Sequence, residues 1–377
     1  MPIQIKPRAA AFRRAVEARP DVPKSLPQKY FVSPDVYAQE QTVIFPRQWL
    51  LVGHQSQLGK PGDYIVQRVN GESLIVIRDK SGEVHGFFNV CRHRGSRLIE
   101  NDSGTCAAIQ CPYHAWTYGL DGQLIGAPHM DDVPGFDKND YQLHEVNIGV
   151  WEGLIFVNFA NDATPLDKWF APLNGKFSHW NISILRSAKR IQYDVHANWK
   201  LMFENYSECY HCPGVHPQLQ KVSPYDSAEN DLREGPFLGG FMKINPGKSL
   251  TMSGNACAAF VGKIENLQQV FYYTIFPNML LSLHPEYVMV HQLWPQSPDR
   301  TLIVCDWLFH PDAARAGQAT YNPDDAIEFW DMTNKQDWHV CELSQQGISS
   351  RAYTPGPFSS RESIPAAWDQ YYLRIMK

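Results

Sequence analysis

No apolar run in the chain approaches the roughly 18 residues that a membrane-spanning helix needs, so no membrane span is expected. Charge of one sign is also missing. The 34 Lys and Arg against 39 Asp and Glu leave a net charge of -5, which gives no basis for nucleic-acid binding or for docking on an acidic surface. There is no Gly-x-Gly-x-x-Gly after a predicted strand and no four-cysteine ferredoxin spacing, so no built-in dinucleotide or ferredoxin module is expected. Internal repeats and low-complexity tracts are absent too. The first residues, MPIQIKPRAAAFRRAVEARPDVPKSLPQKYF, lack the apolar block of a secretory signal. AAAFRRAVEAR has the Arg-rich amphipathic look of a transit peptide, but the acids of EARPD argue against one. Eight cysteines in 377 residues are too sparse for a disulfide framework. A cytoplasmic chain with reduced thiols is the expectation, and clustered Cys and His then suggest metal before disulfide.

What is present is ample for a large core: 44% hydrophobic and 12% aromatic residues over a length that suggests about two domains. Residues 61 to 159 read as short strands (DYIVQRV, SLIVIRD, VHGFFNV, AAIQCPY, LIFVNF) separated by turns such as VNGE, KSGE and LDGQ. That is a small antiparallel β domain. FANDATPLDKWFAPL marks a boundary and a short helix. Beyond about 190 a helix follows ANWK with Asn198 as its cap. Strands recur at QVFYYTIF, MLLSLHPEYVMVHQLWP and RTLIVCDWLFH, and a long helix runs from about Asp324 to Gln346, ended by Gly347. Strands grouped before helices indicate an α+β fold.

Two motifs carry chemistry in the first half. CRHRG supplies Cys91 and His93, and CPYHAW supplies Cys111 and His114. Gly95 and Pro112 shape the turns, so two hairpin tips can clamp one centre. Two thiolates and two imidazoles complete a four-ligand set. A structural zinc site is one reading, but zinc patterns keep the cysteines in one knuckle and the histidines in the other. Here each knuckle carries one of each, which suits a Rieske [2Fe–2S] cluster with two Cys on one iron and two His on the other. Cys106, between the knuckles, is expected to be a core thiol.

The second constellation is ENYSECYHCPGVHP, residues 204 to 217. The preceding WKLMFENYSECY is apolar on nearly every helical face and should be buried, yet Asn205, Glu208 and His211 recur on one stripe. A helix through this stripe, broken at Pro213 and Gly214, would let His211 and His216 converge. A pair of histidines needs a carboxylate to make the facial triad of a non-haem Fe(II) oxygenase. Glu204 and Glu208 are near in sequence. A third candidate, Asp337, is the acid on the apolar stripe of the late helix, with Ile327, Trp330, Asn334, Cys341 and Ile348. Glu328, Asp331, Lys335 and Glu342 form a solvated stripe. Asp337 is therefore the better inward ligand. A thiol redox pair from Cys209 and Cys212 stays as an alternative, though no thioredoxin-like βαβ surrounds it.

With these motifs in view, the chain resembles the oxygenase (α) component of the Rieske non-haem iron oxygenases over nearly its whole length. The resemblance rests on CRHRG, CPYHAWTYGLDG, NWKLMFENYSECYHCPGVHP and, more loosely, QDWHVCELSQQG. It implies an antiparallel β Rieske domain at residues 45–160 and a helix-grip catalytic domain at 161–377, with an N-terminal helical segment, 1–44, packed on the latter. It implies one [2Fe–2S] cluster on Cys91, His93, Cys111 and His114, and one mononuclear Fe(II) on His211, His216 and Asp337. Glu208 takes the position of the acid that bridges to His114 of the next subunit in a head-to-tail homotrimer. Asn205 would support the bridge or the iron site. Electrons would come from an NAD(P)H-dependent flavin/iron-sulfur reductase, and O2 would oxidise a small-molecule substrate. Glu208 and the front segment LPQKYFVSPDVYAQEQTVIFPRQWLLVGH look more like the choline, carnitine and glycine-betaine branch, which implies a quaternary ammonium substrate, by N-demethylation or C–N cleavage. The rivals are an aromatic-ring dioxygenase or aryl O-demethylase and, from another class, a non-catalytic Rieske electron carrier.

Overall fold

The computed structural model describes residues 23–259, 268–314 and 321–377. The AAAFRRAVEAR stretch and the first half of the expected N-terminal segment lie outside those residues. Among the described residues no helix is long and apolar enough to cross a membrane.

The short alternating segments of the first half pair as antiparallel strands. Val84–Phe88, Glu72–Arg78, Asp63–Val69 and Ser103–Thr105 form one four-stranded sheet in that order. Leu50–His54, Leu154–Asn158 and Asn147–Trp151 form a second, and the small sheet Ile109–Gln110, Thr117–Tyr118, Leu124–Gly126 carries the second Cys/His knuckle. The core beneath the knuckles is built from Ile75, Ile77, Phe87, Trp116 and Tyr118, with Cys91 and Cys111 buried in it. Cys106 is half-buried at the edge of this core.

The second half is one seven-stranded antiparallel sheet. Its order is Arg186–Val195, Arg300–Phe309, Val288–Ser297, Met279–Leu283, Gln269–Ile275, Phe237–Lys243, Glu229–Leu232. The inner strands are largely buried because one face packs on helices and the other on the first half of the chain, whereas the edge strands Arg186–Val195 and Glu229–Leu232 are mostly polar. Asn278 joins the two halves with its side-chain amide, accepting from Leu51 N at 2.9 Å and donating to Leu51 O at 3.0 Å.

The long helix Pro323–Ile348 lies against the sheet and against the helix Trp199–Tyr206. Its Ile327, Trp330, Asn334, Cys341 and Ile348 are buried, while Lys335 and Asp331 pair at 2.6 Å on the outer stripe. The helix runs through Gly347 and ends one residue later at Ile348, which is buried in the core.

Trp199–Tyr206 is capped by Asn198, whose side chain accepts from Lys200 N. It holds a buried charge network with the segment Pro34–Val43: Glu40 accepts from Trp199 Nε1 at 2.9 Å, Lys200 Nζ at 2.5 Å and Tyr372 OH at 2.6 Å. One turn further, Glu204 sits beside Asp369 of the helix Ser363–Ile375. Burial raises the carboxyl of Glu204 from 4.5 to about 7 and pushes Asp369 well up, with Glu204 adding to the rise. Between those pH values the folded chain keeps a proton that the unfolded chain releases, so stability falls as pH rises through the window. Glu204→Gln removes the share of that loss due to Glu204 and is expected to gain about 2 kcal/mol over the native chain at about pH 8 relative to about pH 5. Denaturant melts of the two proteins at both pH values read the difference, and parallel curves would rule out the shifted carboxyl.

Candidate iron-sulfur and mononuclear iron sites

The two knuckles repeat one turn. Gly95 N–H donates to Cys91 O at 3.0 Å, and Ala115 N–H donates to Cys111 O at 3.1 Å. Each turn closes on a residue with positive φ, 73° at Gly95 and 56° at Ala115. Glycine adopts this conformation without cost, whereas Ala115 is held in it by the surrounding bonds. The turns bring His93 and His114 to 4.7 Å between ring centroids, and His93 stacks on Trp116 at 4.8 Å. The cysteines are buried, His93 is exposed and His114 is half-buried. Thiols therefore sit inward and imidazoles outward. Tyr113 stacks on His114 at 3.7 Å, and Tyr118 OH lies 3.4 Å from Cys91 Sγ.

Burial pushes the Cys91 thiol up. Burial acts the same way on Cys111, but the Tyr113 and His114 N–H groups, with Cys91 and Ser96, bring it down overall. Partial desolvation by its neighbours, with the charges of His114 and Arg94, lowers His93, which favours the neutral imidazole a metal requires. Buried sulfurs on one side, surface imidazoles on the other and hydrogen bonds to sulfur match the donor set of a Rieske cluster.

The second site differs from the sequence expectation in its backbone. The helix ends at Tyr206, so Asn205, Glu208 and His211 do not share a helical stripe. Glu208 is the cause: its Oε2 accepts from the backbone N–H of Tyr210 and, at 3.3 Å, of His211. This local capping starts a new turn in place of the old helix. Pro213 and Gly214, expected to break the helix, lie inside the short helix Cys212–Val215, where proline at the first turn needs no N–H partner. Cys209 and Cys212 are disulfide-bonded, contrary to the expectation of reduced thiols throughout. The turn sets their Cα atoms 5.0 Å apart, within the span a disulfide accepts.

This turn aims both imidazoles at one point. His211 Nε2 is 3.2 Å from His216 Nε2. Asp337 Oδ1, delivered by the long helix, is 2.8 Å from His216 Nε2 and 3.3 Å from His211 Nε2. Adjacent ligands of an octahedral ion with bonds of about 2.1 Å stand about 3.0 Å apart, so the triangle fits one face of such a coordination shell. Glu204 points elsewhere, toward Asp369, and Glu208 sits behind His211, with Oε1 2.6 Å from His211 Nδ1. Burial opposes a charge on His211, but Asp337 and Glu208 outweigh it and carry the ring up to about 10. Asp337 is held down at about 2 against the effect of burial by His211 and His216. The site is built to hold a positive charge between these groups.

The triad opens on a cavity of about 90 Å³. Asn205 lines it, and its backbone carbonyl accepts from Glu208 N at 3.4 Å. Tyr206, Phe241, Tyr272, Trp330 and Trp338 form much of the wall. Tyr206 meets Tyr272 edge-on at 5.9 Å, and Tyr272 meets Trp330 at 6.2 Å. Tyr206 OH is tied to Ser282 Oγ at 2.7 Å, and Trp330 Nε1 donates to Tyr287 OH at 2.6 Å, so two of these rings are fixed in orientation. Sequence reading did not find this wall. Its members come from a helix end, two strands and the long helix, with no common spacing. It also passed over Gln336, which precedes Asp337 and lies 2.8 Å from His216 Nδ1.

Comparison with known proteins covers both halves of the chain. Residues 48–137 match the Rieske [2Fe-2S] domain, and residues 183–377 match the ring hydroxylating alpha subunit (catalytic domain). The chain is 32% identical to the glycine betaine monooxygenase oxygenase subunit of Chromohalobacter salexigens, over 89% of this chain and 82% of the relative. It is 30% identical to the carnitine monooxygenase oxygenase subunit of Acinetobacter baumannii, over 89% and 88%. The crystal structure of the quaternary ammonium Rieske monooxygenase CntA with L-carnitine superposes with a TM-score of 0.78 at 27% identity, covering 96% of this chain and 97% of that one.

Proposed function

Because the chain belongs to the ring-hydroxylating alpha-subunit family of Rieske oxygenases, we propose that it is the oxygenase component of a system that oxidises a quaternary ammonium compound of the betaine or carnitine kind. It is a Rieske-type oxidoreductase of α+β fold with a [2Fe–2S] cluster and a mononuclear iron. The proposed cluster ligands are Cys91, His93, Cys111 and His114, and the proposed iron ligands are His211, His216 and Asp337. The domain limits proposed for these two centres are 45–160 and 161–377. When bound, the cluster supplies single electrons and the iron supplies O2 activation.

The chain's own residues do the rest. Glu208 fixes the His211 proton on Nδ1 and so leaves Nε2 free for metal. Its oxygens have room for a further donor, since a carboxylate accepts about four hydrogen bonds. That donor is proposed to be His114 of the partner subunit in a homotrimer, with Glu208 as the electron bridge. Asn205 lines the cavity beside this bridge and supports it. The reductase is proposed to be an NAD(P)H-dependent flavin/iron-sulfur protein.

The observation that carries the substrate class is the aromatic wall. A cation cannot be hydrogen-bonded when its nitrogen bears four carbons, but it is attracted to the faces of Tyr and Trp by about 0.5–2 kcal/mol each. Tyr206, Tyr272, Trp330 and Trp338 line the cavity that opens on the triad and supply such rings. O2 uptake coupled to electron supply from a reductase, screened over betaines, carnitines, cholines and aromatic acids, tests the proposal. Quaternary amines are expected to stimulate uptake, with formaldehyde as product of N-demethylation or trimethylamine as product of C–N cleavage. Coupled uptake with aromatic acids and none with quaternary amines would sink it.

A further inference from the structure

His216 is held at both ends of its ring by consecutive residues of one helix. Its Nδ1 lies 2.8 Å from Gln336 Oε1, and its Nε2 lies 2.8 Å from Asp337 Oδ1. Neighbouring side chains on a helix diverge by about 100°, so 336 and 337 can straddle the ring while sharing a rigid backbone. The ring is only 2% exposed, which leaves water little access to it. Among the described residues, Gln336 is the partner of Nδ1.

An imidazole can give Nε2 to a metal only when that nitrogen carries no proton, so the neutral ring must be protonated on Nδ1. A side-chain amide oxygen is an acceptor only and stabilises that tautomer. The amide is also uncharged. His211, by contrast, has a carboxylate behind its Nδ1, Glu208 Oε1 at 2.6 Å. An anionic partner raises the basicity of a ligating imidazole more than a neutral one does. The two histidines therefore stand in unlike surroundings.

We infer that Gln336 is a positioning residue of the mononuclear iron site: it holds His216 in the metal-ready tautomer and, being neutral, keeps it a weaker donor than His211. This rests on the proposed assignment of His211, His216 and Asp337 as iron ligands.

The test compares the full chain with Gln336→Leu and Gln336→Glu. Affinity for mononuclear Fe(II) is measured by chelator competition, with cluster content followed by its visible absorption in the same samples. The Fe(III)/Fe(II) midpoint potential is measured by EPR-monitored redox titration. Gln336→Leu is expected to bind iron about 10- to 100-fold more weakly with the cluster unchanged. Gln336→Glu, which keeps an acceptor, is expected to restore affinity and to lower the midpoint potential below that of the native chain. A contact that merely packed the helix would produce no such potential shift. Native affinity in Gln336→Leu, or a native potential in Gln336→Glu, overturns the inference. The Glu comparison stands alone should the Leu variant fold poorly. A native chain that takes up no mononuclear iron would instead overturn the ligand assignment beneath it.

Discussion

Asp337→Ala is expected to yield a protein that keeps the two irons of its cluster and loses the third, with turnover lowered about 10³-fold or more. Asp337 is the carboxylate whose oxygen stands 2.8 Å and 3.3 Å from the two Nε2 atoms. Among the described residues, Glu204 and Glu208, the other acids near in sequence, lie beside Asp369 and on the far side of His211. Without Asp337 the two imidazoles lose the anion that favours a cation between them. Iron analysis per chain, with the cluster absorption as the measure of folding, reads the outcome. If the variant holds the third iron as tightly as the native chain, the triad is misassigned.

Glu208→Gln should separate electron delivery from metal binding. Glutamine can still accept from His211 Nδ1, so both centres are expected to remain filled. What is lost is the negative charge and the free lone pairs proposed to reach His114 of the partner subunit. Steady-state turnover is expected to fall by at least about 10²-fold, with the cluster staying reduced after substrate and O2 are mixed. Rapid-mixing absorption of the cluster follows this directly. Full turnover with both centres intact would remove Glu208 from the electron path. The disulfide between Cys209 and Cys212 lies in the same turn, so both measurements need matched redox conditions.

Much of this was legible from local pattern. The interleaved Cys and His of the two knuckles, the α+β order and the buried and solvated stripes of the late helix all depend on residues close in sequence. Asp337 was singled out because a helix converts spacing into direction, and an acid on an apolar stripe must have a partner. The break near His211 was misplaced for an equally local reason. Proline and glycine at 213 and 214 looked like the stop, but the Glu208 carboxylate satisfied backbone N–H groups earlier and ended the helix first. Side-chain competition for the backbone is hard to weigh against proline without knowing where the side chain points.

The sequence by itself determined which residues are candidates to hold metal: two thiols and two imidazoles in repeated turns, then two imidazoles and an acid chosen by its helical stripe. Only the tertiary structure decided how far apart those atoms stand and what surrounds them. The 2.8–3.3 Å triangle of His211, His216 and Asp337 closes across about 120 residues of chain. Packing of the long helix on the sheet sets it, and no spacing rule reaches that far. The same packing gathers Tyr206, Tyr272, Trp330 and Trp338 around the triad and lays Gln336 against His216. Ligand identity is a property of residue type and local turn. Ligand geometry and the walls of the cavity are products of long-range burial, in which each ring is placed by the whole core behind it.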